Sequence, residues 1–296
     1  MATATMTQAP DYAAPGANDA THDEPKASAA ANSRIPTVRK MDFDFQSDVP
    51  RYWWDNNPVK TMLLAALSAT FPAGERFFID SVRHFQHEVT DPELKKAIRA
   101  FIGQEAHHSR EHAALNGFLQ ERGVGLDRLA KDTERVMDAL RKLSPERQLA
   151  HTVAVEHFTA MLAEHVILND DLLDQMPEEM ARIWAWHGIE ESEHKAVAFD
   201  VYRTIGGSEW VRISEMMVVS ILFPLVSTIH VAQLLAAEGQ LTNMRAIGST
   251  LKYMFAKPGV VRKLLPHYLS YYRPDFHPWD HDATSLLEKA RKRWLS

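Results

Sequence analysis

Residues 186–195 read Trp186-His187-Gly188-Ile189-Glu190-Glu191-Ser192-Glu193-His194-Lys195, and within them His187, Glu191 and His194 stand four and then three residues apart. On a helix these separations return to one face, so the three side chains form a single stripe. A carboxylate and two imidazoles on one stripe are costly to bury without a shared partner. The three-residue pairing occurs once more, at Glu105 and His108 in Gln104-Glu105-Ala106-His107-His108. A Glu-x-x-His arises by chance about once in a chain of this length, so a single copy carries little. Two copies, each inside a long helical pattern, carry more.

Each pair follows a helix bearing one further carboxylate: Glu75 in Phe71-Pro72-Ala73-Gly74-Glu75, and Glu156 in Val155-Glu156-His157. Glu75 precedes Glu105 by 30 residues and Glu156 precedes Glu191 by 35, which is room for an antiparallel helix pair used twice. Helical bundles that hold two metals take one Glu from each of two helices and a Glu-x-x-His from each of the other two. The expected ligands are therefore Glu75, Glu105, His108, Glu156, Glu191 and His194, with His187 as a seventh. The expected ions are two irons, with manganese or a mixed pair as the alternative, because bridging carboxylates and imidazoles suit them better than a closed tetrahedral zinc site.

Helix signals dominate outward from this stretch. Asn57-Pro58 opens a first helix expected to run towards Val89 with a break or kink at Pro72, and Asp91-Pro92 opens a second that stops at Gly123. A shorter helix is expected over 126–143, one from Ser144-Pro145 to about Leu173, and one from Pro177 to about Gly206. Two or three more fill 208–268, before an irregular aromatic segment and a short basic terminal helix. The fold class predicted is all-α: a four-helix bundle with additional C-terminal helices over 35–296, behind a disordered tail at 1–34. That tail has no apolar core or basic start of a secretory signal, so a cytoplasmic protein is expected.

The order Glu, Glu-x-x-His, Glu, His-x-x-x-Glu-x-x-His is similar to the diiron N-oxygenases that oxidise aryl amines, whose extra His is also an iron ligand. Over most of the chain after the tail, the stretches quoted above and Tyr272-Arg273-Pro274-Asp275-Phe276-His277-Pro278-Trp279 resemble the bacterial family of predicted metal-dependent hydrolases. The resemblance implies a ferritin-like fold and a centre able to activate dioxygen.

Several neighbours have plainer readings. His112, one turn after His108, is preferred as an ordinary partly buried histidine, with orientation of a ligand or a bound oxidant as the alternative; His107, His157, Glu190 and Glu193 are outer partners of the ligands or solvated groups. Asp200 is a candidate acceptor for a ligand histidine N–H, Trp184 and Trp186 are expected in the core, and His277 in a structural cap. Met216 to Ala237 carries no formal charge for 22 residues. Its Ser220, Pro224, Thr228 and His230 favour a buried fifth helix or the wall of an apolar substrate channel, with peripheral membrane contact, aided by the basic end Lys289–Leu295, as the alternative.

Composition narrows the function. There is no cysteine, which removes disulfides, thiolate zinc, iron–sulfur clusters and a cysteine nucleophile. Lys+Arg 33 against Asp+Glu 39, with no basic aromatic patch, argues against nucleic acid as a partner. The expected function is a nonhaem diiron oxygenase acting on a small or hydrophobic substrate, fed by an external electron donor, and able to form a homo-oligomer. The rivals are a hydrolase in which a metal-activated hydroxide attacks an ester or amide, and a non-enzymatic, ferroxidase-like iron binder.

Overall fold

In the computed structural model, residues 35–45, 48–168, 170–256 and 259–295 are described, and the expected tail at 1–34 lies outside them. All regular structure among them is helical. In chain order the helices are α1 (Pro58–Phe85), α2 (Pro92–Glu121), α3 (Asp127–Leu140), α4 (Pro145–Leu162), α5 (Asp170–Leu173) and α6 (Glu178–His194). They are followed by α7 (Val197–Thr204), α8 (Glu209–Ala237), α9 (Met244–Phe255), α10 (Val260–Ser270) and α11 (Thr284–Trp294). Each of α1, α2 and α4 starts with a polar cap before Pro. The Asn57 side chain accepts from the Val59 and Lys60 N–H groups, Asp91 from Glu93, and Ser144 from Arg147.

Helices α1, α2, α6 and α4 form the bundle, α1 lying against α2 and α4, and α6 closing the ring against both. Along α1 and α2 the apolar residues fall into two buried groups with the predicted polar residues between, while α6 adds to one group and α4 to the other. One group holds Met62 of α1, Leu115 of α2 and Trp184 and Trp186 of α6; the other holds Phe77, Phe101 and Leu149. Burying one such side chain is worth about 1.5–3 kcal/mol, so two apolar ends can hold a costly polar layer in the middle.

Three helices differ from the sequence expectation. Pro72 does not break α1. Its missing N–H leaves the Ser68 carbonyl without an intrahelical donor, and Asn116 of α2 supplies one from Nδ2 at 3.0 Å. The helix expected to reach Leu173 instead widens into a π turn at Ala163–Ile167 after α4, with α5 separate beyond it. The helix from Pro177 is interrupted at Lys195-Ala196, where the buried Lys195 ammonium reaches Glu164 of the π turn at 2.7 Å and the His281 carbonyl at 2.9 Å.

The uncharged stretch departs from one half of its reading, the buried fifth helix, while its Val219, Phe223 and Val226 do line an apolar cavity. It lies in α8, which with α9 and α10 forms an outer layer over the α1–α4 face. It is not a buried fifth helix: its inward side packs, but Met217, Ile221, Leu225 and Ile229 are bare. Among the described residues, nothing covers that side. The basic α11 packs on α6 instead, its Arg291 bound to Glu193 and Arg293 to Asp174, so those cations face inward partners.

Candidate metal centre

Glu75 sits at mid-length on α1, Glu105 and His108 on α2, Glu156 on α4, and His187, Glu191 and His194 on α6. The fold brings all seven into one layer, and none is more than 5% exposed. Ligand atoms of Glu105, Glu156 and His194 lie within 4.8 Å of one another, as do those of Glu75, His108 and His187; Glu105, His108 and Glu191 form a third such trio spanning the two. The arrangement is two adjoining nests with shared carboxylates.

The contacts inside are close yet unsatisfied. The His194 Nε2 is 3.1 Å from Glu105 and 3.3 Å from Glu156, and the His187 Nε2 is 3.2 Å from Glu191. Both oxygens of Glu75, Glu105 and Glu156, one oxygen of Glu191, the His108 Nδ1 and the His194 Nε2 nevertheless make no aligned hydrogen bond, although they are buried. An unpartnered buried polar atom costs about 1–3 kcal/mol. Nine of them aimed at one small volume fit a site built for cations.

Electrostatics agree. Burial first, then the Glu105 carboxylate, holds the Glu75 carboxyl well above its ordinary range; burial also raises Glu105 and pushes Glu156 up to about 8. Burial works against ionised Glu191 too, but His194, His108 and His187 outweigh it and hold it well below the usual value. Burial likewise opposes charged histidine, yet Glu190 and Glu191 lift His108 to about 10, and Glu156 and Glu191 raise His194 strongly. His187 moves the other way, to about 4, through burial and the neighbouring His108. Without cations the cluster has to retain protons to offset its buried charge, and divalent ions replace them.

Partners behind the ligands fix each imidazole. The His108 Nε2 donates to Glu190 at 3.1 Å, leaving Nδ1 turned to the cluster, and the His194 Nδ1 donates to the Gln104 carbonyl oxygen at 2.9 Å, leaving Nε2. For His187 the tautomer follows from a chain of bonds. Asn116 uses its NH2 on the Ser68 carbonyl, so its oxygen accepts the single Ser68 hydroxyl proton at 2.7 Å. Ser68 must then accept from His112 Nδ1 at 2.9 Å, and the neutral His112 accepts at Nε2 from His187 Nδ1 at 3.0 Å. The His187 Nε2 is left with a bare lone pair facing Glu191, the form a metal takes.

His112 thus holds the alternative role, not the preferred ordinary one: it is the group that orients His187. Asp200 does not meet a ligand histidine; it binds His277 Nε2 at 2.9 Å, because α7 is turned away after the break at Lys195-Ala196. Glu190 and Glu193 are buried outer partners and not solvated. An extended strap, residues 35–45, crosses α2 and α6, where Arg39 binds Glu193 at 2.8 Å and Glu190 at 3.2 Å. No sequence motif marks this strap; the adjacent pair Glu190 and Glu193 was the available signal.

Two apolar cavities reach the layer from the α8 side. One touches His187 and Glu191 and runs past Leu67 and Ile167 to Tyr253, Met254 and Val260; the other touches Glu75 and runs past Phe78 and Val155 to Leu222 and Val226. Phe71, Thr159 and Phe223 line both. A family model described as predicted metal-dependent hydrolase matches residues 37–282. No curated protein and no solved structure matches the chain.

Proposed function

Because the chain belongs to the family of predicted metal-dependent hydrolases, we propose that it is an enzyme working through a pair of divalent cations held by Glu75, Glu105, His108, Glu156, His187, Glu191 and His194. The observation that carries this is the convergence of nine unpartnered buried ligand atoms on one layer. Such a pair supplies Lewis-acid activation of water, the chemistry of a hydrolase, or, as iron or manganese, redox activation of dioxygen. The family description favours hydrolysis. The chain's own residues then set the substrate: Phe71, Phe223 and the aliphatic walls exclude water and seat an apolar group beside Glu75 and Glu191, so an ester or amide of a hydrophobic acid or amine fits.

One observation favours a second reading, an oxygenase supplied with electrons by a donor. Apart from Glu75, His187 and Glu191 themselves, the walls near the layer offer few groups, chiefly Thr70, Thr159 and His151, to hold a carbonyl oxygen or a leaving group. An unfunctionalised C–H or an amine needs none.

The test is to load the purified full chain anaerobically with Fe(II), Mn(II) or Zn(II). About two ions per chain are expected, and Glu105→Ala is expected to lose most of them while keeping its helical circular dichroism. Turnover of a long-chain nitrophenyl ester by the Zn or Mn form without dioxygen uptake supports hydrolysis; dioxygen uptake by the Fe form given a chemical reductant supports the oxygenase. A chain that retains no ion above background overturns both.

A further inference from the structure

Of the seventeen large hydrophobic residues exposed among the described residues, fourteen lie between Trp210 and Leu269, on α8, α9, α10 and the turn joining α8 to α9. Scattered exposed apolar residues need no explanation, but a gathered patch marks a surface with a partner. These helices share one layer: α9 and α10 pack together, and the Ser220 hydroxyl meets the Tyr268 hydroxyl at 2.9 Å, tying α8 to α10. Ile221 is 65% exposed, Met244 73% and Phe255 60%.

Charge identifies the occupant. The chain as a whole is acidic, with net charge -6, yet from Gly239 to Pro274 it holds no Asp or Glu while carrying Arg245, Lys252, Lys257, Arg262, Lys263 and Arg273. Arg245, Lys252, Arg262 and Lys263 are exposed and form no ion pair among the described residues. Bare cations set among bare Leu, Phe and Met are the make-up of a surface that lies on anionic lipid, where apolar side chains enter the acyl boundary and each cation adds attraction. A second copy of the chain would instead bring the same unpaired cations face to face. A membrane-crossing α8 does not fit either, since its inner side packs on α1 and α4 and lines the cavity at Val219, Phe223 and Val226.

Both cavities end in this layer, one at Tyr253, Met254 and Val260, the other at Leu222 and Val226. We infer that the outer face of α8, α9 and α10 docks on an anionic phospholipid surface, from which an apolar substrate passes between these helices to the metal layer. The passage rests on the function proposed above, whereas the docking does not, and the two are tested apart.

The docking experiment sediments the purified full chain with vesicles of phosphatidylcholine, with and without phosphatidylglycerol, and measures metal content on the same preparation. Binding is expected to the phosphatidylglycerol vesicles at low salt and to weaken as salt rises. Lys252→Gln with Arg262→Gln is expected to weaken it about thirtyfold, from about 1 kcal/mol per surface cation, and Ile221→Ser with Phe255→Ser to abolish it, with unchanged circular dichroism and metal content. No binding to either vesicle at low salt overturns the inference while leaving the metal chemistry standing. So does a stable dimer that Ile221→Ser with Phe255→Ser converts to monomer, because the face is then covered by another copy. Vesicle binding by a chain that retains no metal supports the docking and removes the passage.

Discussion

Histidine tautomers decide whether this cluster meets cations with lone pairs or with protons, and for His187 the decision is made three residues along the bond chain, at Asn116. Asn116→Ala frees the Ser68 hydroxyl to donate to His112, which reverses both imidazoles and places a proton on His187 Nε2. The ion beside Glu75, His108 and His187 is then lost first, and metal content is expected to fall by about half with helicity kept; full loading would refute the relay. Glu190→Ala removes the acceptor that turns His108, and a loss of about 10–100-fold in metal affinity is expected by titration with a competing chelator. The clustering of these side chains was legible in part because i, i+3 and i+4 spacing groups Glu105 with His108, and His187 with Glu191 and His194, within one helix. Their outer partners were not. Ser68, Asn116 and His112 become neighbours of His187 only when α1, α2 and α6 pack, and the one hint in their spacing is that His112 stands a turn after His108.

At the scale of elements, the strap illustrates how packing overrides local preference. Glycine inside a helix is about 1 kcal/mol worse than alanine, so Gly103 in α2 looks like a weakness. A Cβ there would meet Val38 of the strap at 2.9 Å, so its bare backbone is what lets the strap cross. Gly103→Ala is expected to lower stability in urea unfolding despite its better helix propensity, and Val38→Ala in the same chain to restore it; a simple gain of about 1 kcal/mol would refute the contact. Capped helix starts at Asn57, Asp91 and Ser144 were readable because Pro and a capping side chain act within a few residues. Pro72 misled because the group that rescues the Ser68 carbonyl sits on another helix. The π turn and the break at Lys195 were likewise invisible, since one depends on how α4 meets α6 and the other on Glu164 and His281 lying within reach.

Across the whole molecule, an all-helical bundle was evident from periodicity, whereas the bare outer layer was not, because a charge-free helix reads the same in a core and at a surface. A second group of histidines also forms only on folding: His165 of the π turn and His281 both meet the ring of His267 of α10, one tilted and the other edge to face, beside Lys195, with Lys263 nearby. Burial first, then His165, His281 and Lys195, lowers His267 to about 4 from 6.5. The unfolded chain therefore takes up a proton that the folded chain refuses, so this contribution is complete above about 6.5 and is lost as the pH falls towards 4. The urea midpoint is expected to drop as the pH falls below that value, and His267→Gln to flatten the drop; an unchanged slope would count against the cluster. Glu193 links the extremities: Thr37 and Arg39 reach it from the strap and Arg291 from α11, and it in turn holds Gln104, which carries the His194 imidazole. A pull applied between the two ends would load that carboxylate before it strains any helix. Under tension, then, the protein is expected to slacken its grip on its ions while the bundle is still wound.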